Sequence, residues 1–387
     1  KKNIPNKNKL PIKKDYLFDP DVLAILFDAR PATQVPFLRK AMKSYNENID
    51  NGVSFAAQTI GLLKRIIKET KSVEGDSLEN WISAAKKLGI KKEFFSGLRG
   101  NFIKNEYGNL KIISRMQKSI LDSGQITTEG IKELKIDELK EELKKSFDQA
   151  SSIQRLKYYL QFQRVYVGAW RYSNIQHINP LFNRIETAFN SLEKVIEVKE
   201  DISDEYKPMN IISLVHANQA ITRLIPMLVS KMIYDEQRFS VAGKSIIQTK
   251  HLIIDEAHNI LNDMNRNNGD DWQDYRLSVF EEIIKEGRKF GYYLTLSSQR
   301  PADISSTILS QTHNYMIHRL VNERDLRMLE NTMPTLDRSS YQMIPSLGKG
   351  EVIITGNSMQ VPVFVKIPKE INLRPNSDDV VLTDLWS

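Results

Sequence analysis

His251-Leu252-Ile253-Ile254-Asp255-Glu256 is a short apolar run that ends in two adjacent carboxylates, and the reading of the whole chain turns on it. Its length and β-branched content read as a buried strand. In an open α/β sheet, ligands bind beyond the carboxyl ends of the strands, so the two acids fall where a ligand would sit. Asp255 has the chemistry to hold Mg²⁺ through its water shell, and Glu256 to orient or deprotonate a water that attacks a phosphate. An apolar run ending in Asp-Glu also occurs by chance ahead of a helix cap, so order and spacing must carry the reading. About 40 residues on, Tyr292-Tyr293-Leu294-Thr295-Leu296-Ser297 is a second buried run, followed by Ser298-Gln299-Arg300-Pro301. If the two strands are neighbours, the Gln299 amide lies beside the acids and can sense the phosphate or the water. Otherwise Gln299 caps the turn before Pro301.

Working outward, the region 205–368 alternates between the two periodicities. Apolar runs at 210–215, 251–255, 292–297 and 315–321 are separated by helical patterns at 217–237, 275–289 and 303–310, with another at 323–330. Pro226 is expected to kink the first of these helices. Such alternation predicts an α/β fold with a mostly parallel sheet covered on both faces. The last two runs, 351–355 and 361–367, flank Gly356-Asn357-Ser358 and read as an antiparallel hairpin at the edge.

Upstream, residues 16–200 are helical almost throughout. Asp19-Pro20 offers an N-cap followed by proline at the first helical position. Phe37, Leu38 and Met42, then Phe55, Ile60, Leu63, Ile66 and Ile67, keep a helical stripe. The run 129–145 sets Leu134, Ile136, Leu139 and Leu143 among mixed charges, the pattern of a helix with one solvated face. Residues 1–15 form a basic lead-in and 369–387 a tail.

The chain has 387 residues, 41% apolar and 27% charged, which excludes disordered and collagen-like classes. Its 55 Lys and Arg against 48 Asp and Glu give a net charge of +7, a lean towards an anionic partner. With no cysteine, a disulfide framework, a thiol nucleophile and a Cys-ligated metal are ruled out, and a reducing cytoplasmic location is expected. No run has the length of a membrane-spanning helix, so no membrane partner is expected.

Further residues carry weaker signals. Arg288, in Glu286-Gly287-Arg288-Lys289-Phe290-Gly291, sits at a helix end where it either complements the helix dipole or reaches a neighbouring subunit's phosphates. The polar loop 262–272 reads either as a DNA-facing loop with Arg266 reaching phosphate or as a connector. Tyr158, Tyr159, Tyr166, Trp170 and Tyr172, interleaved with Arg155, Lys157, Arg164 and Arg171, read first as a packed face with a solvated edge. His258 stands three residues after Asp255, and a zinc site there has only chance spacing behind it.

The blocks HLIIDEAHN, EGRKFG, LSSQRPADISSTILSQ and IHRLVNERDL, in this order, resemble the HerA branch of the FtsK/HerA family of ring-forming P-loop ATPases over roughly 205–368. The resemblance implies a RecA-like P-loop NTPase core with 16–200 as a large α-helical insertion. It implies an ATP- and Mg²⁺-dependent motor that pulls double-stranded DNA through a homo-hexamer, with a nuclease or other effector, in DNA processing or antiphage defence. On it, Asp255 and Glu256 are the Walker B pair, with Asp255 on the metal, Gln299 is the sensor, and Arg288 is an arginine finger acting in trans. Arg319 and Arg300 are phosphate-facing. One departure is plain: no GxxxxGK[ST] occurs in the chain. Gly243-Lys244-Ser245 follows a helix rather than a strand, and Gly348-Lys349-Gly350 is a turn before a strand. The expectation is that the chain starts after the phosphate-binding loop. A non-catalytic assembly subunit and a conjugative or packaging-type motor stay open as alternatives.

Overall fold

In the computed structural model, Asp19 accepts the N–H groups of Asp21 and Val22 at 2.9 and 3.1 Å, capping the helix Pro20–Leu26 as the Asp-Pro pair predicts. The structure describes residues 9–50, 52–172, 174–202, 205–215, 217–243, 245–262, 271–333 and 336–368. The chain divides into two units, Lys1–Met232 and Ile233–Ser387.

The first unit is built on helices whose apolar residues recur every three or four positions. Ile60, Leu63, Ile66 and Ile67 of the helix Phe55–Lys68 are buried, and so are Ile136, Leu139 and Leu143 of the helix Ile136–Asp148 that packs on it. Trp81 is fully buried and still gives its indole N–H to the Thr59 carbonyl at 3.1 Å, so no donor is stranded. Strands also occur here: β1 (Leu10–Lys13), β2 (Phe102–Lys104), β3 (Leu110–Ile112), β4 (Leu121–Asp122), β5 (Gln125–Ile126) and β6 (Ile196–Lys199). The basic lead-in thus contributes β1, which pairs parallel with β6, Leu10 opposite Ile196. The Gly/Asn-rich stretch after residue 97 forms the β2–β3 hairpin, where the Asn105 side chain accepts the N–H groups of Tyr107 and Asn109.

One expectation differs from what is seen. The apolar run 210–215 forms no strand, and Ile211 and Val215 are exposed. Strand preference is realised only through a neighbour, and this run has no ladder partner among the described residues. Pro226, where a kink is expected, lies within the helix Gln219–Val241.

In the second unit, β7 (Lys250–Ile254) and β8 (Tyr292–Leu296) pair in parallel, with Lys250 opposite Tyr292 and Ile254 opposite Leu296. The helix Asp271–Glu286 forms the crossover and packs on β8 with Leu277, Phe280 and Ile283 buried. Among the described residues, only one face of the strand pair is covered: Ile254 and Tyr292 are buried, whereas Ile253 on the other face is 70% exposed. Gly287 lets the crossover close tightly onto β8, because a Cβ there would stand 2.7 Å from the Tyr292 carbonyl oxygen. Burial pushes the Tyr292 phenol up in pKa.

The chain then runs through β9 (Asn314–Ile317), the helices Glu323–Thr332 and Arg338–Met343, β10 (Glu351–Gly356) and β11 (Val363–Lys366). β10 and β11 form the expected antiparallel hairpin, but β9 joins it antiparallel too, with Ile317 opposite Ile353. Among the described residues of this unit, parallel pairing is therefore confined to β7 and β8. Apolar runs report burial and not the direction of the neighbouring strand, so the pattern alone reads alike for both pairings. Ile317, Leu329, Met333, Ile344, Leu347 and Ile353 form the core beneath this second sheet. Among the described residues, no helix is long and apolar enough to cross a membrane.

Candidate functional site

The in-register pairing of β7 with β8 decides the site, because it brings two strand ends 42 positions apart in sequence side by side. Past the last paired residues, the Ser297 N–H donates to the Ile254 carbonyl at 2.9 Å, and the Ala257 N–H donates to the Ser297 carbonyl at 2.8 Å. These two bonds bind the segments as they leave the sheet. Side chains follow: Ser297 Oγ donates to Asp255 Oδ1 at 2.8 Å, and Gln299 Nε2 donates to Glu256 Oε1 at 3.0 Å.

Glu256 adopts a left-handed backbone, φ 49° and ψ 43°, ahead of a short 3₁₀ turn at Ala257–Asn259. For a residue with a Cβ, such a conformation costs about 1–3 kcal/mol and persists only where its surroundings over-determine it. Here the surroundings do so, since the bonds at Ile254 and Ala257 fix the backbone on either side. The Glu256 side chain is 42% exposed, open enough to meet a substrate. His258 closes the other side of the carboxylate: its Nδ1 lies 3.3 Å from Glu256 Oε2 and 3.1 Å from Ser298 Oγ.

The loop that carries Gln299 is braced from behind. Ser298 Oγ accepts the Arg300 N–H at 3.0 Å, and the buried Asp325 accepts the Ala302 N–H at 2.9 Å. Arg324 adds an ion pair to Asp303 at 3.0 Å. The motif Asn322-Glu323-Arg324-Asp325 therefore holds the Gln299 loop in place, and Asn322 itself caps the helix that bears Asp325. Sequence reasoning missed Ser297, Ser298 and Asp325, and weighed His258 only as a zinc ligand. Their signal was present as two serines and a histidine abutting the acids and the glutamine, but it becomes readable only once the strand register is known.

The remaining predicted residues fall elsewhere. Arg300 is exposed on the same loop, next to Gln299. Arg288 is exposed in the turn Gly287–Phe290, ahead of β8 and so at the opposite end of the strand from Gln299. Five strand residues put roughly 16 Å between those ends. Arg319, following β9, is exposed and gives its Nε–H to the Pro345 carbonyl at 3.1 Å. Arg266 lies outside the described residues, as does Lys244 of the Gly243-Lys244-Ser245 tripeptide. Gly350, at φ 78°, makes the other glycine-lysine segment a turn into β10. The aromatic cluster is packed with a solvated edge: Tyr159 is buried, Trp170 carries Arg65 over its ring at 4.2 Å while giving its indole N–H to Glu69 at 2.6 Å, and Tyr172 is 53% exposed.

Among the described residues there is no group of three or more His, Asp or Glu side chains arranged to hold a metal ion. Asp255 offers one exposed carboxylate beside a serine hydroxyl. That donor set fits Mg²⁺ arriving with nucleotide phosphates, since the ion keeps most of its waters and needs one or two carboxylates. It does not fit a resident metal centre.

No family model matches the chain. A probable helicase of Methanocaldococcus jannaschii is 27% identical over 213 residues, covering 52% of this chain and 40% of that protein. The DNA double-strand break repair helicase HerA of Sulfurisphaera tokodaii is 28% identical over 194 residues, 49% of this chain and 38% of that protein. HerA of Pyrococcus furiosus is 31% identical over 143 residues, covering 35% and 25%. The chain is related to the HerA helicases. Measured against the first two relatives, it spans about two fifths of their length. Among solved structures, VirB4 of Thermoanaerobacter pseudethanolicus is similar at a TM-score of 0.42 with 10% identity, over 95% of this chain and 74% of that one.

Proposed function

We propose that the chain is a subunit of an ATP-driven motor that moves on double-stranded DNA, with residues 205–368 forming part of a RecA-like core. The observation that carries this is the Gln299–Glu256 hydrogen bond at the carboxyl ends of adjacent parallel strands. It sets a carboxylate and a neutral amide together at the place where α/β sheets bind ligands. The relationship to HerA helicases supports DNA as the track.

In this reading Glu256 takes the proton of the attacking water and Gln299 holds the carboxylate in the accepting orientation. Mg²⁺, held by Asp255, would supply charge neutralisation at the phosphates. Arg300 lies beside Gln299 and contributes positive charge to the same edge. Arg319 is the more remote phosphate-facing candidate, and Arg266 is assigned to DNA. Arg288, some distance from its own acids, serves a neighbour's site in a homo-hexameric ring. The ring works in the cytoplasm with a nuclease or another effector protein, in DNA processing or antiphage defence.

The test is ATP turnover by the full-length gene product with and without duplex DNA. Stimulation by DNA of any sequence is expected, with affinity that falls by a log-log salt slope of about −0.9 per phosphate neutralised. Turnover indifferent to DNA, or binding confined to one sequence, would overturn the motor. A second reading, a ring subunit that assembles without hydrolysing, is favoured by one observation, the lack of GxxxxGK[ST] in these 387 residues. It predicts no turnover at all.

A further inference from the structure

The two oxygens of the Glu256 carboxylate stand in different surroundings. Oε1 accepts from Gln299, whereas Oε2 is buried and has no hydrogen-bond partner among the described residues, its close neighbour being His258 Nδ1 at 3.3 Å. That same Nδ1 is 3.1 Å from Ser298 Oγ, and Ser298 Oγ accepts the Arg300 N–H at 3.0 Å. The His258 side chain is only 15% exposed. A chain of contacts therefore runs from the carboxylate through the imidazole to the hydroxyl and on to the backbone of the sensor loop.

We propose that His258 is a positioning residue for hydrolysis: its Nδ1, bonded to Ser298 Oγ and 3.3 Å from the otherwise unpartnered Glu256 Oε2, confines the carboxylate on that side and ties it to the loop that carries Gln299. The polarity follows from inventory. An ionised carboxylate only accepts, so the nitrogen facing it must donate. Gln299 alone leaves the carboxylate free to swing about one hydrogen bond, and a second contact from the opposite side removes that freedom. Because Ser298 and Gln299 are adjacent on one loop, a shift of that loop moves both contacts together. Glu256 then reports the state of the loop, in addition to being oriented by it. A histidine merely filling the 3₁₀ turn would need neither the bond to Ser298 nor a nitrogen 3.3 Å from the carboxylate.

This inference rests on the proposed hydrolysis, and the experiment separates the two. In the full-length gene product, kcat and KM for ATP are measured for His258→Asn, His258→Gln and His258→Leu, alone and combined with Glu256→Gln. An asparagine amide nitrogen occupies the place of Nδ1, while a glutamine amide reaches that of Nε2. His258→Asn is expected to keep kcat within about threefold. His258→Gln and His258→Leu should lower kcat by roughly 10- to 100-fold, the cost of misplacing a reacting group by about 1 Å, with KM little changed. In the Glu256→Gln background none of the three should matter further. Equal kcat for Asn, Gln and Leu variants, or losses that persist undiminished in the Glu256→Gln background, would overturn the proposal. If Glu256→Gln itself leaves turnover unchanged, the hydrolytic reading fails. If it abolishes turnover while His258→Leu retains it, only the role of His258 fails.

Discussion

Gln299 Nε2 donates to Glu256 Oε1 at 3.0 Å although 43 positions separate the two residues in the chain. The bond exists because β7 and β8 are adjacent, parallel and in register, so that each strand delivers its polar terminus to the same edge. It pairs the group suited to take a proton with a neutral group that cannot compete for it.

In the full-length gene product, the proposed function predicts that Glu256→Gln leaves nucleotide and DNA binding intact while ATP turnover falls by roughly 10² or more, the scale of a lost general base. Parallel binding and turnover assays check this. Undiminished hydrolysis would remove Glu256 from the chemistry.

Arg288 is separated from Gln299 by the whole of β8, so its own acids are out of reach. A finger supplied in trans is worth roughly 10³ to 10⁵ in turnover, whereas an arginine at a helix end contributes about 1 kcal/mol of stability at most. In the proposed ring, mixing full-length Arg288→Ala and Glu256→Gln subunits should recover activity that neither variant has alone, because some interfaces then pair an intact acid with an intact arginine. No recovery, with subunit exchange verified by a label, would place Arg288 outside the site.

Gly287→Ala should destabilise the second unit by about 1–3 kcal/mol through overpacking, since its Cβ would meet the Tyr292 carbonyl at 2.7 Å. Gly61→Ala is the contrasting case: it lies in the helix Phe55–Lys68 with nothing within 4 Å of the added Cβ, so a gain of roughly 0.8–1 kcal/mol is expected. Urea unfolding of both variants compares the two, and equal midpoints would refute the close-approach argument.

Acid sensitivity has a local marker. Hydrogen bonds from Ser339 and Ser340 hold the Asp337 carboxyl at about 2, at the start of the helix Arg338–Met343. Because the folded value is depressed, this contribution is fully present above the unfolded value near ~3.9 and is lost as pH falls towards the folded one. The difference in melting temperature between wild type and Asp337→Asn should stay constant at about pH 5–7 and shrink between about pH 4 and 2. A difference independent of pH would show that the charge plays no part.

Much of this protein was legible in the residues themselves. Asp19-Pro20 announces its helix, the three- and four-residue recurrence of Ile60, Leu63 and Ile67 marks a buried face, and Gly356-Asn357-Ser358 announces the β10–β11 hairpin. These are local features, governed by capping, side-chain periodicity and turn chemistry within a few residues. Asp255, Glu256 and Gln299 were likewise visible as polar endings to apolar runs. What local pattern cannot encode is which strand lies beside which, in what direction and in what register. Burial makes an interior strand apolar whatever its neighbour, so β9 read as another parallel strand and the run 210–215 read like its neighbours. The contacts of His258 with Ser298, Ser297 with Asp255, and Asp325 with the Ala302 amide all depend on long-range pairing. A one-residue slip between β7 and β8 would turn every one of their side chains to the opposite face. The types of residue at the site are thus properties of the chain, while their convergence on one carboxylate is a property of the fold.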